Sequence, residues 1–155
     1  MRAVIQRANG ATLTTEGQTK AHFEGLGYVI LLGIEMADNE EDAEWLARKI
    51  VGLRVFDDDE GVMNKNIQDI SSVSADNILV VSQFTLMASY KKGNRPSWLR
   101  AANHAHAIPL YEYFVSKLHE VSGITIQTGV FGADMKVSFT NDGPVTICMD
   151  SKNRE

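Results

Sequence analysis

Eight residues, Asn77 to Phe84 (NILVVSQF), narrow the fold of this chain more than any others. Ile78 to Val81 are continuously apolar and mostly β-branched, with no polar alternation. A strand of that kind is buried on both faces, so the chain must lay structure over each side of it. At its C-terminal end the chemistry changes, and Ser82, Gln83 and Thr85 emerge from the buried run around Phe84. With 155 residues and 44% hydrophobic content the chain can bury one core and is short for two. A single domain spanning 1–155 is expected.

The first third reads as strands and turns. Segments 2–8 and 11–15 flank Asn9-Gly10, a strong hairpin signal. A second turn falls at Glu16-Gly17, and Gly25-Leu26-Gly27 marks a third before the apolar run 28–34, which predicts an antiparallel meander. A helix follows, with Asp38 as N-cap, Glu41 as its capping partner, and Ala43, Leu46, Ala47, Ile50 and Val51 on one stripe ending at Gly52. Leu53–Phe56 predicts a short strand, 57–61 an acidic turn and 62–76 no defined element. A second helix is predicted over 108–122, with Pro109 in its first turn and Gly123 as its stop, and three closing strands over 124–130, 135–140 and 144–149. The fold class is α+β: a largely antiparallel, sheet- or barrel-like system with about two main helices.

Charge and composition remove several functions. A net charge of −5 argues against a protein that coats nucleic acid. That acidity is local, since residues 35–60 carry ten acids against three bases and the remaining residues are net +2. Lys91, Lys92, Arg95 and Arg100 make 91–100 a local +4, suited to phosphate or to a solvated loop. The lone Cys148 excludes an internal disulfide, the longest apolar run is far short of a membrane span, and Gln6 and Arg7 interrupt the N-terminus before it could be a signal peptide. A cytoplasmic protein without membrane association is expected. No metal site is expected either: the Asp57–Gly61 turn has its glycine at position 5 and Gln68 at position 12, unlike a calcium loop, and His104 and His106 lack ligand spacing. Gly25-Leu26-Gly27 lacks the third glycine of a dinucleotide site, and no phosphate-binding loop motif occurs, so no cofactor is implied.

Two segments resist a purely structural account. Ser82-Gln83-Phe84-Thr85 sets hydroxyls and an amide where a rigid strand ends, which suits a site but also suits local backbone capping. Asn141-Asp142-Gly143-Pro144-Val145-Thr146 is either a turn between two strands or, with a cis Gly143-Pro144 bond, a pair of carbonyl acceptors aimed at a ligand. Spacing alone leaves both open.

These segments and their neighbours closely resemble the D-aminoacyl-tRNA deacylase family of chiral proofreading enzymes. MRAVIQRA, EEDAEWLARKIVGLRVFDDDEGVMN, VVSQFTL, KKGNRPSW and TGVFGADMKVSFTNDGPVT carry the resemblance across essentially the whole chain. Met87-Ala88-Ser89-Tyr90 and Asn94 depart modestly from the family pattern. The resemblance implies a homodimer with active sites at the interface, where Gly143-Pro144 of one subunit reaches into a pocket formed by Ser82, Gln83, Phe84 and Thr85 of the other. It implies hydrolysis of the ester between a D-amino acid, or glycine, and the 3′ acceptor end of tRNA, with no cofactor. On this reading an L side chain strikes the Gly-Pro element, and Gln83, Phe84 and Thr85 supply donors to the ester while water attacks. Covalent attack by Thr85 is the rival. An inactive aminoacyl-tRNA-binding accessory module and a hydrolase of another ester or amide are the alternatives.

Overall fold

A computed structural model describes residues 1–72 and 75–155. Two long strands, β1 (Arg2–Thr15) and β2 (Gln18–Gly33), form a hairpin closed by Glu16 and Gly17, both at positive φ. The predicted turn at Glu16-Gly17 is therefore present. The predicted hairpin at Asn9-Gly10 is not, because β1 runs straight through it. Asn9 pairs with Thr140 and Ala11 with Phe139, so Gly10, at φ +72, is one extra residue relative to its neighbour. That slip moves Ala11 and Leu13 onto the same face as Ala8, away from the face of Ala3 and Ile5. Gly25, at φ +73, likewise lies within continuous β2 where a third turn was expected.

Helix α1 (Glu40–Gly52) ends where predicted but starts from a different cap. Asn39 Oδ1 accepts from the amides of Glu41 and Asp42 at 3.0 and 3.3 Å, and Asp42 Oδ2 accepts from Asn39 N at 3.0 Å. Asp38 is committed elsewhere: its buried carboxylate pairs with the Met1 ammonium and accepts from Glu35 N at 2.8 Å. A small hairpin, β3 (Phe56–Asp57) and β4 (Met63–Lys65), and a one-turn helix α2 (Ile67–Ile70) follow. Strand β5 (Ile78–Ser82) then enters the main sheet.

Helix α3 (His104–Ser122) begins four residues before its predicted start, capped by Asn103, whose Oδ1 accepts from His106 N at 3.0 Å. Pro109 is thus inside the helix rather than in its first turn; Pro109 and Ala105 are both exposed, so water can take the carbonyl the proline leaves unpaired. Gly123, at φ +72, stops it. Only two closing strands follow, β6 (Ile126–Thr128) and β7 (Lys136–Asp150).

The main sheet has the order β6-β5-β2-β1-β7. The long β2–β1 and β1–β7 ladders are antiparallel, while β2–β5 and β5–β6 are parallel, with α1 and α3 lying in the connections. Strand β5 is covered on both faces, as its composition requires. Ile78 and Val80 pack with Tyr28, Ile30, Leu46, Ile50 and Phe114 on the helix side, and Leu79 and Val81 with Leu13, Phe23 and Val29 on the other. No helix among the described residues is long and apolar enough to cross a membrane.

Candidate active site

The end of β5 is seated by backbone contact. Gln83 N donates to Leu32 O at 2.8 Å, extending the parallel pairing one residue beyond Ser82. The chain then closes into a 3₁₀ turn, Phe84–Met87, with Met87 fully buried as its anchor. Gly33 lies directly behind: a Cβ there would come within 2.8 Å of Leu86 Cβ and 3.0 Å of Gln83 O. Arg2 ties the turn to the sheet edge, with Nη1 donating to Leu86 O at 3.0 Å and Nε to Asp150 Oδ2 at 2.8 Å. No acceptor within the chain is found for the amides of Phe84 and Thr85 among the described residues. They are free donors on a rigid mount.

Phe84, which carries the first of these donors, lines a cavity of about 700 Å³. Ser82, Gln83 and Phe84 line it; Thr85 does not, and its Oγ accepts from Gln83 Nε2. Trp98, Asn103 and His104 also line it, with Phe131, Met135 and Val137 as apolar lining. The aromatic groups brace each other edge to face, Phe84 on Trp98 at 5.3 Å and His104 on Phe131 at 5.6 Å. Tyr111 supports the wall from inside at 5.6 Å from Phe131, its hydroxyl donating to Val80 O at 2.8 Å. Burial pushes that phenol well above its ordinary range, so it remains a donor at neutral pH.

The sequence did not mark Trp98, Asn103 or Phe131. For Trp98 and Phe131 the available signal was an aromatic ring in a loop bearing proline or glycine, where a core role is not expected, whereas Asn103 carried none beyond that of a helix cap. His104, which has no ligand spacing in the sequence, is the first residue of α3 and also lines the cavity. Of the four basic residues, Lys91, Lys92 and Arg95 are exposed and have no ion-pair partner among the described residues. Arg100 is engaged, its Nη2 lying 2.9 Å from Glu35 Oε2.

Gly143 and Pro144 are not on this cavity. They form an exposed excursion within β7: Gln6 pairs with Thr146 and Ala8 with Asn141, so residues 142–145 leave the ladder. The turn between two strands expected there is absent, because β7 continues on both sides of it. The Gly143-Pro144 bond is cis and Gly143 has φ +114. Arg7, almost fully buried, clamps the base of the excursion, with Nη1 donating to Val55 O at 2.6 Å and Nε 2.7 Å from Asp142 Oδ2. Among the described residues, no group of three or more His, Cys, Asp or Glu side chains is placed to hold a metal ion.

Fold and site together define an α+β protein that presents fixed backbone donors to a polar group in an aromatic-walled cavity, an arrangement suited to enzymes acting on activated carbonyls. The chain belongs to the D-Tyr-tRNA(Tyr) deacylase family, whose model matches residues 4–150. It is 59% identical over its full length, and that of its relative, to a D-aminoacyl-tRNA deacylase of Phocaeicola vulgatus, and 55% identical on the same terms to one of Flavobacterium johnsoniae. Among solved structures it resembles a c-Myc DNA unwinding element binding protein, at TM-score 0.87 and 38% identity over 97% of this chain and 98% of that one. A probable eukaryotic D-amino acid tRNA deacylase shares the fold at TM-score 0.78 and 15% identity, over 96% and 97% of the two chains.

Proposed function

We propose that this protein hydrolyses the ester of D-aminoacyl-tRNA, and of glycyl-tRNA, releasing free amino acid and intact tRNA. One observation carries the reading: the Ser82–Phe84 segment of a deacylase-family chain lines a cavity the size of a small-ligand site, with the Phe84 amide unpaired among the described residues. An aminoacyl ester is already activated, so positioning and oxyanion stabilisation meet most of the catalytic demand. The Phe84 and Thr85 amides suit the oxyanion, and water supplies the nucleophile. No step calls on a metal or cofactor. The inactive accessory reading has no support, since the relatives named above carry the name of the enzyme.

Selectivity requires a second subunit. Gly143-Pro144 lies off the cavity of its own chain yet projects to solvent on a clamped base, as an element acting on another copy would. Strand β7 is an edge strand of 15 residues, none of them buried, with Val137, Phe139, Ile147 and Met149 half covered. The chain exposes 8767 Å², against roughly 7,800 Å² for a typical 17 kDa monomer. The excess is about what one partner surrenders in a standard interface. In the resulting homodimer the Gly143 and Pro144 carbonyls accept from the substrate α-ammonium, and backbone atoms block the direction an L side chain would take. A cytoplasmic place of work is inferred from the substrate class alone.

The test incubates purified protein with matched D- and L-aminoacyl-tRNA and follows the ester. Release of the D-amino acid with retention of the L-ester is expected; equal release, or none, would sink the reading.

A further inference from the structure

The loop between the 3₁₀ turn and Trp98 is built unlike a solvated connection. It is ordered by paired hydrogen bonds, Ser89 N to Ser97 O at 2.9 Å and Ser97 N to Ser89 O at 2.8 Å, so residues 90–96 project as a closed tongue. On that tongue and just beyond it, Tyr90 is 80% exposed and Leu99 94% exposed. Phe84 and Trp98, at 56% and 40%, continue the apolar surface into the cavity mouth. Interleaved with them are Lys91, Lys92 and Arg95, none with an ion-pair partner among the described residues. Among the described residues, no aromatic pair engages Tyr90 and no ion pair engages these charges.

Alternating exposed rings and free cations is the pattern of a single-stranded nucleic acid track: rings stack on bases of any sequence, and cations follow the phosphates. The cavity itself, at about 700 Å³, has room for an aminoacylated nucleoside. The nucleotides before it must leave across the cavity mouth. We propose that Tyr90 is a stacking platform for the unpaired nucleotides preceding the terminal adenosine of the substrate tRNA, and that Lys91, Lys92 and Arg95 contact their phosphates. The contact rests on the deacylase reading above. It acts on substrate capture and leaves the reacting ester alone.

Steady-state hydrolysis is measured on a D-aminoacyl-tRNA and on the matching 3′-D-aminoacyl-adenosine, which lacks the preceding nucleotides. Tyr90→Ala is expected to raise KM for the tRNA roughly tenfold, within the range of one lost base–aromatic stack, with kcat unchanged. KM for the aminoacyl-adenosine stays at the wild-type value, and Tyr90→Phe restores KM for the tRNA. Lys91→Gln with Lys92→Gln is expected to flatten the salt dependence of log KM by about 1 to 1.5. An unchanged KM in Tyr90→Ala, or an equal rise on both substrates, overturns the platform. So does a change in oligomeric state, which would give the surface to another copy of the chain. Wild-type protein inactive on both substrates removes the deacylase reading itself, whereas active wild type with an indifferent Tyr90→Ala removes only the platform.

Discussion

Thr85 occupies the position where a hydroxyl nucleophile would be sought, and its surroundings argue against that role. Its Oγ is held by Gln83 Nε2, the residue lies off the cavity, and among the described residues no histidine or carboxylate is a hydrogen-bond partner of that Oγ. Replacing Thr85 by Ala should therefore keep single-turnover hydrolysis of D-aminoacyl-tRNA within about tenfold of wild type. A loss of several orders of magnitude would instead make Thr85 covalent. On the proposed mechanism the amide carries the role at this position, and no side-chain change except proline removes it. That distinction also marks how far residues could be read from sequence. SQFT and NDGPVT were visible as polar or proline-bearing breaks in apolar strands. Which of their atoms face a ligand depends on the 3₁₀ turn and on long-range anchors such as Arg2 to Leu86 O and Arg7 beside Asp142, which have no local signal.

Elements position the site through close backbone approach. The 3₁₀ turn rests on the end of β2 only because residue 33 has no side chain, so Gly33→Ala should push Gln83 and Leu86 outward. We expect a stability loss of about 1–3 kcal/mol together with a fall in kcat larger than any change in KM. Thermal unfolding and D-aminoacyl-tRNA kinetics check it, and a variant with wild-type kcat would show that the seat is not critical. Helix α1 is held differently, through its first turn. Burial alone would raise the Asp42 carboxyl, but hydrogen bonds from Lys152, Ser151 and the Asn39 amide outweigh it and hold Asp42 below the usual carboxylate range. A carboxyl depressed on folding stabilises above its unfolded pKa, about 3.9, and loses that contribution as pH falls through the lower folded value. Asp42→Asn should thus cost about 1–2 kcal/mol at pH 7 and progressively less below about pH 4. Urea unfolding at both ends of that window tests it, and a pH-independent gap would contradict the sign. Elements themselves were legible wherever a period was local, as in the α1 stripe and the apolar β5 run. Bulges were not: Asn9-Gly10 carries the residues of a hairpin turn, and only pairing with β7 makes it one extra residue in a continuing strand.

At the scale of the whole molecule, the two halves of the proposed site sit in different places on one chain, and that separation can be tested through selectivity. Gly143 has φ +114, and a Cβ there would meet Val145 Cγ2 at 2.8 Å and Arg7 Nη2 at 3.3 Å, so Gly143→Ala must displace the excursion. Hydrolysis of L-aminoacyl-tRNA by this variant is the expected consequence. Phe84→Pro removes one of the two free amides and should abolish hydrolysis while leaving its own Gly143-Pro144 intact. When Gly143→Ala chains are assembled with a large excess of Phe84→Pro chains, nearly every live cavity has a partner carrying the unaltered excursion. If the excursion acts across the interface, L-ester hydrolysis per live chain falls back towards the wild-type level while D-ester hydrolysis persists. If each chain served its own cavity, the live cavities would keep their displaced excursion and L-ester hydrolysis would not change. A chain that stayed monomeric under these conditions would remove the second subunit altogether, and with it the explanation for 15 residues of edge strand left without a buried side chain.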